Sequence, residues 1–266
     1  MTASIFPNFS QFLGIIPELK STDVHNALPG HRGGVHGMEQ QLLDALAFYG
    51  YPITRTDQEN CSAWAGGFSH MIPCPPVILQ CFQLSAVEYL RSRTNRVELI
   101  YLAEEEPELL TYKGMERVSR VVHHYVTWKD FLYHGVEAGL NLLNATWNAT
   151  LIDSMGGFVK PSDFLEHAHK LGMKFGVYTI YDSRETSSAG CPAGTGCDWG
   201  SKQAEMNHFL GMGVDSLFVE NVAESRELLL RFEYQLVIEK RAAVVAEGGA
   251  VTGSGALRLI SISRFP

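Results

Sequence analysis

In the stretch G-I-I-P-E-L-K-S, residues 14–21, a carboxylate and an ammonium stand two positions apart among apolar neighbours. In an extended strand such residues share a face, so Glu18 and Lys20 project together while Ile16 and Leu19 bracket them with apolar surface. The pair is costly to bury unless each charge finds a partner. A cation ligated by Glu18, holding an anionic substrate to which Lys20 donates, would satisfy both side chains. A solvent-exposed ion pair at a strand end is the plainer reading, and the two residues alone do not decide. Other groups that could do chemistry give less. Glu104, Glu105 and Glu106 could collect a cation, but adjacent carboxylates point in different directions, which suits a solvated loop. His123 and His124 read as neighbours on a helix, where adjacent positions do not share a face, and His167 and His169 likewise diverge.

The elements that must position these residues follow from pattern. V-I-L-Q-C-F at 77–82, V-E-L-I-Y-L at 97–102, F-G-V-Y-T-I-Y at 175–181 and G-V-D-S-L-F-V-E-N at 213–221 read as strands, and 139–150 as a weak strand that becomes a loop. Helices are expected over 38–49, 85–94, 162–171, 202–210 and 224–240, with helical or mixed sequence from the third strand to about Tyr133. On the first of these, Leu42, Leu43, Leu46 and Tyr49 form a core stripe at helical spacing, and Gly50 stops it. Residues 52–76 read as an irregular insertion. The Gly-, Ser- and Cys-rich loop 183–200 follows a strand and is a candidate lid or rim.

The order of P-E-L-K-S at 17–21 and the strands at 77–82, 175–181 and 213–221 resembles the glycerophosphodiester phosphodiesterase family, from about residue 5 to about residue 235. The resemblance implies an α/β chain forming an incomplete (β/α)8 TIM barrel of the PLC-like phosphodiesterase type, beginning at the fourth barrel strand with strands one to three missing. The partial domain would cover 1–240, and 241–266, biased to small residues, reads as a disordered tail. Family members hydrolyse glycerophosphodiesters to glycerol 3-phosphate and an alcohol, with a divalent metal, Ca²⁺ or Mg²⁺, held by carboxylates and two histidines as acid and base. Carried over by position, Glu18 matches a metal carboxylate and Lys20 the phosphate-contacting lysine, while Phe82 and Tyr178 match pocket-lining, substrate-binding positions. The chain departs from the pattern where Cys81 replaces a serine, Tyr178 a tryptophan and Glu220 an aspartate. No catalytic histidine carries over. His31-Arg32-Gly33 spells the family's catalytic tripeptide, but it follows Glu18 without an apolar strand before it, so it reads as a loop near the mouth of a site.

Composition bounds the rest. A chain of 266 residues with 45% hydrophobic content can bury a sizeable core. A formal charge of -8 and no basic patch argue against a nucleic-acid partner and leave a small phosphodiester open. No apolar run of about 20 residues predicts a membrane span, and the first residues lack a secretory leader pattern. The glycosylation acceptor pattern at Asn8, Asn60, Asn144 and Asn148 leans instead towards the secretory pathway or an extracellular location. Two local disulfides, Cys61–Cys74 and Cys191–Cys197, would suit that compartment and leave Cys81 unpaired; five reduced thiols is the alternative. Two functions compete: part of a secreted phosphodiesterase, or a non-catalytic barrel remnant that binds a ligand or partner. Oligomeric state and head group are not legible.

Overall fold

A computed structural model describes residues 15–28, 34–49, 51, 53, 77–95, 97–181, 201–246 and 261–264. In chain order the elements are β1 (Glu18–Leu19), α1 (Thr22–Ala27), α2 (Gly37–Phe48), β2 (Ile78–Cys81), α3 (Leu84–Arg93), β3 (Glu98–Ala103), α4 (Tyr112–Ser119) and β4 (His124–Trp128). There follow α5 (Lys129–His134), α6 (Val136–Leu142), α7 (Ala149–Ser154), α8 (Phe164–Lys170), β5 (Lys174–Ile180), α9 (Lys202–Met212), β6 (Ser216–Val219), α10 (Val222–Ala246) and β7 (Ser261–Arg264). The result is an α/β fold whose strands follow one another in the order of the sequence. It divides into two compact units: Met1–Val126 with Trp147–Phe158 and Leu171–Met173, and Thr127–Thr146 with Val159–Lys170 and Lys174–Pro266.

In the first unit β1, β2 and β3 run parallel, with Glu18 opposite Gln80, Leu19 opposite Cys81, and Cys81 opposite Tyr101. Pro17 has no N–H to give, but its carbonyl accepts from Gln80 N at 3.1 Å, so proline is tolerated beside β2. Strand β3 is buried along five consecutive residues, as expected of a parallel strand covered on both faces. Leu43 and Leu46 of α2 join this core, whereas Tyr49 lies past the end of the helix and is 66% exposed. The expected apolar stripe is therefore corrected at its last member. Glu39, at 1% exposure, takes an interior place instead, accepting from Asn26 Nδ2 at 2.8 Å and facing His36 Nδ1 at 3.2 Å.

Two expectations of element type are also corrected. His124 does not lie on a helix: H-Y-V-T-W forms β4, because its aromatic and β-branched residues suit a pleated, buried surface. Conversely, the weak strand expected from Gly139 is helix. Val136, Gly139 and Leu140 are the buried positions of α6, a three- and four-residue spacing that is helical rather than a two-residue period. Gly139 is required there, since a Cβ would lie 2.5 Å from the Phe131 ring of α5. Asn148 then opens α7 by accepting from Leu151 N at 3.1 Å.

In the second unit β5, β6 and β7 are parallel, with Val177 opposite Leu217 and Leu217 opposite Ile262. Residues Phe175 to Ile180 are continuously buried, as is all of β6. Asp215 ties the entries of these strands together, accepting from Phe175 N at 2.9 Å and pairing with His169 Nε2 at 2.7 Å. Of the segment 241–266, the end of α10 and β7 are described. Among the described residues no helix is long and apolar enough to cross a membrane.

Candidate functional site

Parallel strands send their carboxyl ends to one side of a sheet, and the loops that follow them are where ligands are usually met. In the first unit three such ends carry polar groups. Lys20 follows β1, Gln83 follows β2, and Glu104 to Glu106 follow β3. Glu18 in β1 is buried to 3% side-chain exposure, while Lys20 is 62% exposed, and Lys20 Nζ stands 3.3 Å from Glu18 Oε1. Its other oxygen, Oε2, accepts from Gln80 Nε2 at 3.3 Å. The pair expected from the i, i+2 spacing is thus made, with its carboxylate inside and its ammonium at the surface.

Gln83 joins the three strand ends. Its Oε1 accepts from Thr22 N and Thr22 Oγ1 at 3.3 and 3.1 Å, and its Nε2 donates to Glu105 Oε2 at 2.5 Å. Glu106 turns inward, accepting from Leu84 N at 2.6 Å and Tyr101 OH at 3.3 Å. The three glutamates expected as a uniformly solvated loop therefore divide: Glu105 is exposed, and Glu106 is half-buried and bonded.

The charges bear on one another. Burial pushes the Glu18 carboxyl above its usual range; Lys20 draws it back, and Glu105 and Glu104 push it further up. Glu105 is likewise raised, by burial first and then by Glu104 and Asp23, with the Gln83 hydrogen bond and Lys20 opposing. Cys81 is a free, fully buried thiol pushed up to about 12 by burial, which removes it from contact with any substrate.

The expected site residues are placed as follows. Glu18 and Lys20 meet in the first unit, and Phe82 lies half-buried just past β2, the neighbouring strand. Tyr178 belongs to the second unit, in β5, at 6% exposure. Glu220 is exposed just past β6. His31-Arg32-Gly33, the loop 183–200, Asn8, Asn60 and the four cysteines expected in bridges lie outside the described residues.

The second unit holds a cluster that sequence reasoning passed over. Lys129, immediately after β4, pairs with Glu205 of α9 at 2.8 Å with side-chain exposures of 2% and 0%. Tyr133 OH donates to the same carboxylate at 3.3 Å, and the Lys129 ammonium lies 5.1 Å from the centre of the Tyr181 ring. Beside them Asp130, 2% exposed, is pushed up to about 6, mainly by burial and against the pull of Lys129 and His134. Among the described residues Asp130 Oδ2 and Glu205 Oε2 accept no hydrogen bond. The signal in the sequence was Lys-Asp directly after an aromatic and β-branched run.

A divalent metal was expected on Glu18. Among the described residues no group of three His, Cys, Asp or Glu side chains is placed to hold one, and Glu18 is met by an ammonium and an amide. These residues do not by themselves fit such an ion. Two described pockets, of about 630 and 340 Å³, are lined by second-unit residues and include none of the expected site residues. No protein-family model matches the chain, and no curated protein matches it.

Proposed function

We propose that this chain is the phosphate-facing portion of a glycerophosphodiester phosphodiesterase, a hydrolase yielding glycerol 3-phosphate and an alcohol in lipid and glycerol metabolism. The observation that carries the reading is the inward carboxylate of Glu18 and the outward ammonium of Lys20, 3.3 Å apart at the carboxyl end of a parallel strand. Lys20 donates to a non-bridging phosphate oxygen. Phe82 supplies an apolar wall past the neighbouring strand. A divalent ion, Ca²⁺ or Mg²⁺, would belong to the complete enzyme and would need carboxylates beyond Glu18. The exposed acceptor asparagines Asn144 and Asn148 support an extracellular or secretory location.

A second reading, ligand binding without turnover, is favoured by the ion pair that Lys20 makes with Glu18 and the hydrogen bond that Gln80 donates to its Oε2, partners that meet the carboxylate without a metal. One experiment tests both. The purified chain, incubated with glycerophosphocholine and added Mg²⁺ or Ca²⁺, is expected to bind the diester through Lys20 and to release no glycerol 3-phosphate. Steady turnover that disappears in Glu18→Gln would establish the catalytic reading for this chain itself. Absence of binding, with Lys20→Ala indistinguishable from the parent, would remove both.

A further inference from the structure

Helix α10 of the second unit carries apolar side chains on two sides. Ser225, Leu228 and Leu229 are buried, and the helix packs against α9 and β7. Leu230, Tyr234 and Ile238, each four residues from the next and so neighbours along one side of a helix, are 55%, 70% and 44% exposed. At 3.6 residues per turn Tyr234 stands on the opposite side from the buried Ser225, where a surface helix ordinarily presents polar and charged groups. A pocket of about 340 Å³ adjoins this stripe, lined by Gln203 and Asn207 of α9 and by Arg231, Phe232, Gln235 and Leu236 of α10. Asn207 Oδ1 is buried and accepts no hydrogen bond among the described residues, an acceptor left for a donor from outside.

A phenol answers each of these features: an apolar body for Phe232 and Leu236, a π face for the Arg231 guanidinium, and one O–H to donate. The exposed phenol on this surface is Tyr234 itself. We propose that α10 is the contact face of a homodimer, in which Tyr234 of each copy enters the α9–α10 pocket of the other and donates its hydroxyl to Asn207 Oδ1. Tyr234 lies between Arg231 and Gln235 of the pocket wall, so one two-fold axis near it fills both pockets at once and closes the assembly at two copies. With the helices antiparallel about that axis, Leu230 of one copy meets Ile238 of the other. A second copy fits better than an unrelated apolar surface because the donor that the orphaned acceptor requires stands on the same face as the pocket. From Leu230 to Ile238 the helix rises about 12 Å. That is short for an interface that buries about 800 Å² per copy, so association is weak and reversible.

The test is sedimentation equilibrium of the purified full chain over about a hundredfold range of concentration, where monomer is expected to give way to dimer as concentration rises. Tyr234→Ala should weaken association at least about tenfold and leave urea unfolding of the monomer unchanged, since the ring is 70% exposed. Tyr234→Phe removes the donor and Asn207→Ala the acceptor. Each should weaken the dimer by a smaller factor, and the double variant should be no weaker than the weaker of the two, because both break the same bond. Phe48→Ala, a change at an 82% exposed ring of the first unit, should leave association as it is. A chain that stays monomeric at every concentration, or that is drawn onto phospholipid vesicles instead, overturns the proposal. A dimer indifferent to Tyr234→Ala, or lost in Phe48→Ala, overturns it as well. Additive losses from Tyr234→Phe and Asn207→Ala overturn the seating of the hydroxyl on Asn207. None of these residues belongs to the Glu18–Lys20 cluster, so every outcome leaves the phosphodiester reading as it stands.

Discussion

The two units each place a lysine just beyond the end of a strand with carboxylates close to it, and they differ in access to water. In the second unit Lys129 and Glu205 are sealed, at 2% and 0% side-chain exposure. In the first, Glu18 is sealed at 3% but Lys20 is 62% exposed, and Glu105 is exposed as well. Burial decides what each cluster can do. A sealed pair cannot meet a ligand, and its members depend on each other because water is not there to replace a lost partner. A half-open pair can exchange its internal partner for an external one at small cost.

The sharpest way to break this contrast is to remove one member of the sealed pair. Lys129→Met strands the Glu205 carboxylate and is expected to cost about 3–5 kcal/mol in urea unfolding, whereas Lys129→Met with Glu205→Leu recovers most of it. A single-variant loss below about 1 kcal/mol would mean that the pair is wet, and the contrast would disappear. Asp130 offers the next effect. Its folded-state pKa is raised from 3.8 to about 6, so the folded state holds the proton more tightly than the unfolded chain does. Stability is therefore greatest below the unfolded value and falls as pH rises through the folded one, by about 3 kcal/mol at 1.36 kcal/mol per unit. Asp130→Asn should stabilise the chain at pH 8 and lose that advantage near pH 4. Unfolding curves across this range that shift in parallel would show that Asp130 is not the titrating group.

How much of this was legible depended on whether the signal was local. The strands at 78–81 and 98–103 announced themselves as apolar runs between breakers, and the spacing of Glu18 and Lys20 placed both on one face before any fold was known. Strand β4 is hidden because the polar pair His123-His124 interrupts the apolar run that would otherwise lead into Tyr-Val-Thr-Trp. Lys129 then lost its meaning, since a lysine is remarkable only once it is known to end a buried strand. The partner Glu205 lies 76 residues away, and no local pattern pairs them. Gln83 was hidden in the same way: its role rests on Thr22 and Glu105, which three separate strands bring to it. Tyr49 misled for the opposite reason, a helical period that continues one step past the helix itself.

In the half-open cluster the expected effects on stability are small and those on binding are not. Gln83→Ala removes two acceptor contacts to Thr22 and one donor contact to Glu105, and should cost about 1–2 kcal/mol in unfolding because the Thr22 groups are left without a partner. Lys20→Ala lies at the far end of the scale. Its ammonium is mostly in water, and the Glu18 it leaves behind keeps the Gln80 amide, so unfolding is expected to shift by less than about 0.5 kcal/mol. Diester affinity should nevertheless fall at least about tenfold, because the lost contact is to a ligand charge that nothing else among the described residues neutralises. The two readouts together sharpen the comparison: a lysine nearly silent in stability and large in binding is a ligand group, whereas Lys129 should show the reverse. If Lys20→Ala costs as much stability as Lys129→Met, exposure was the wrong criterion, and both lysines are parts of the scaffold.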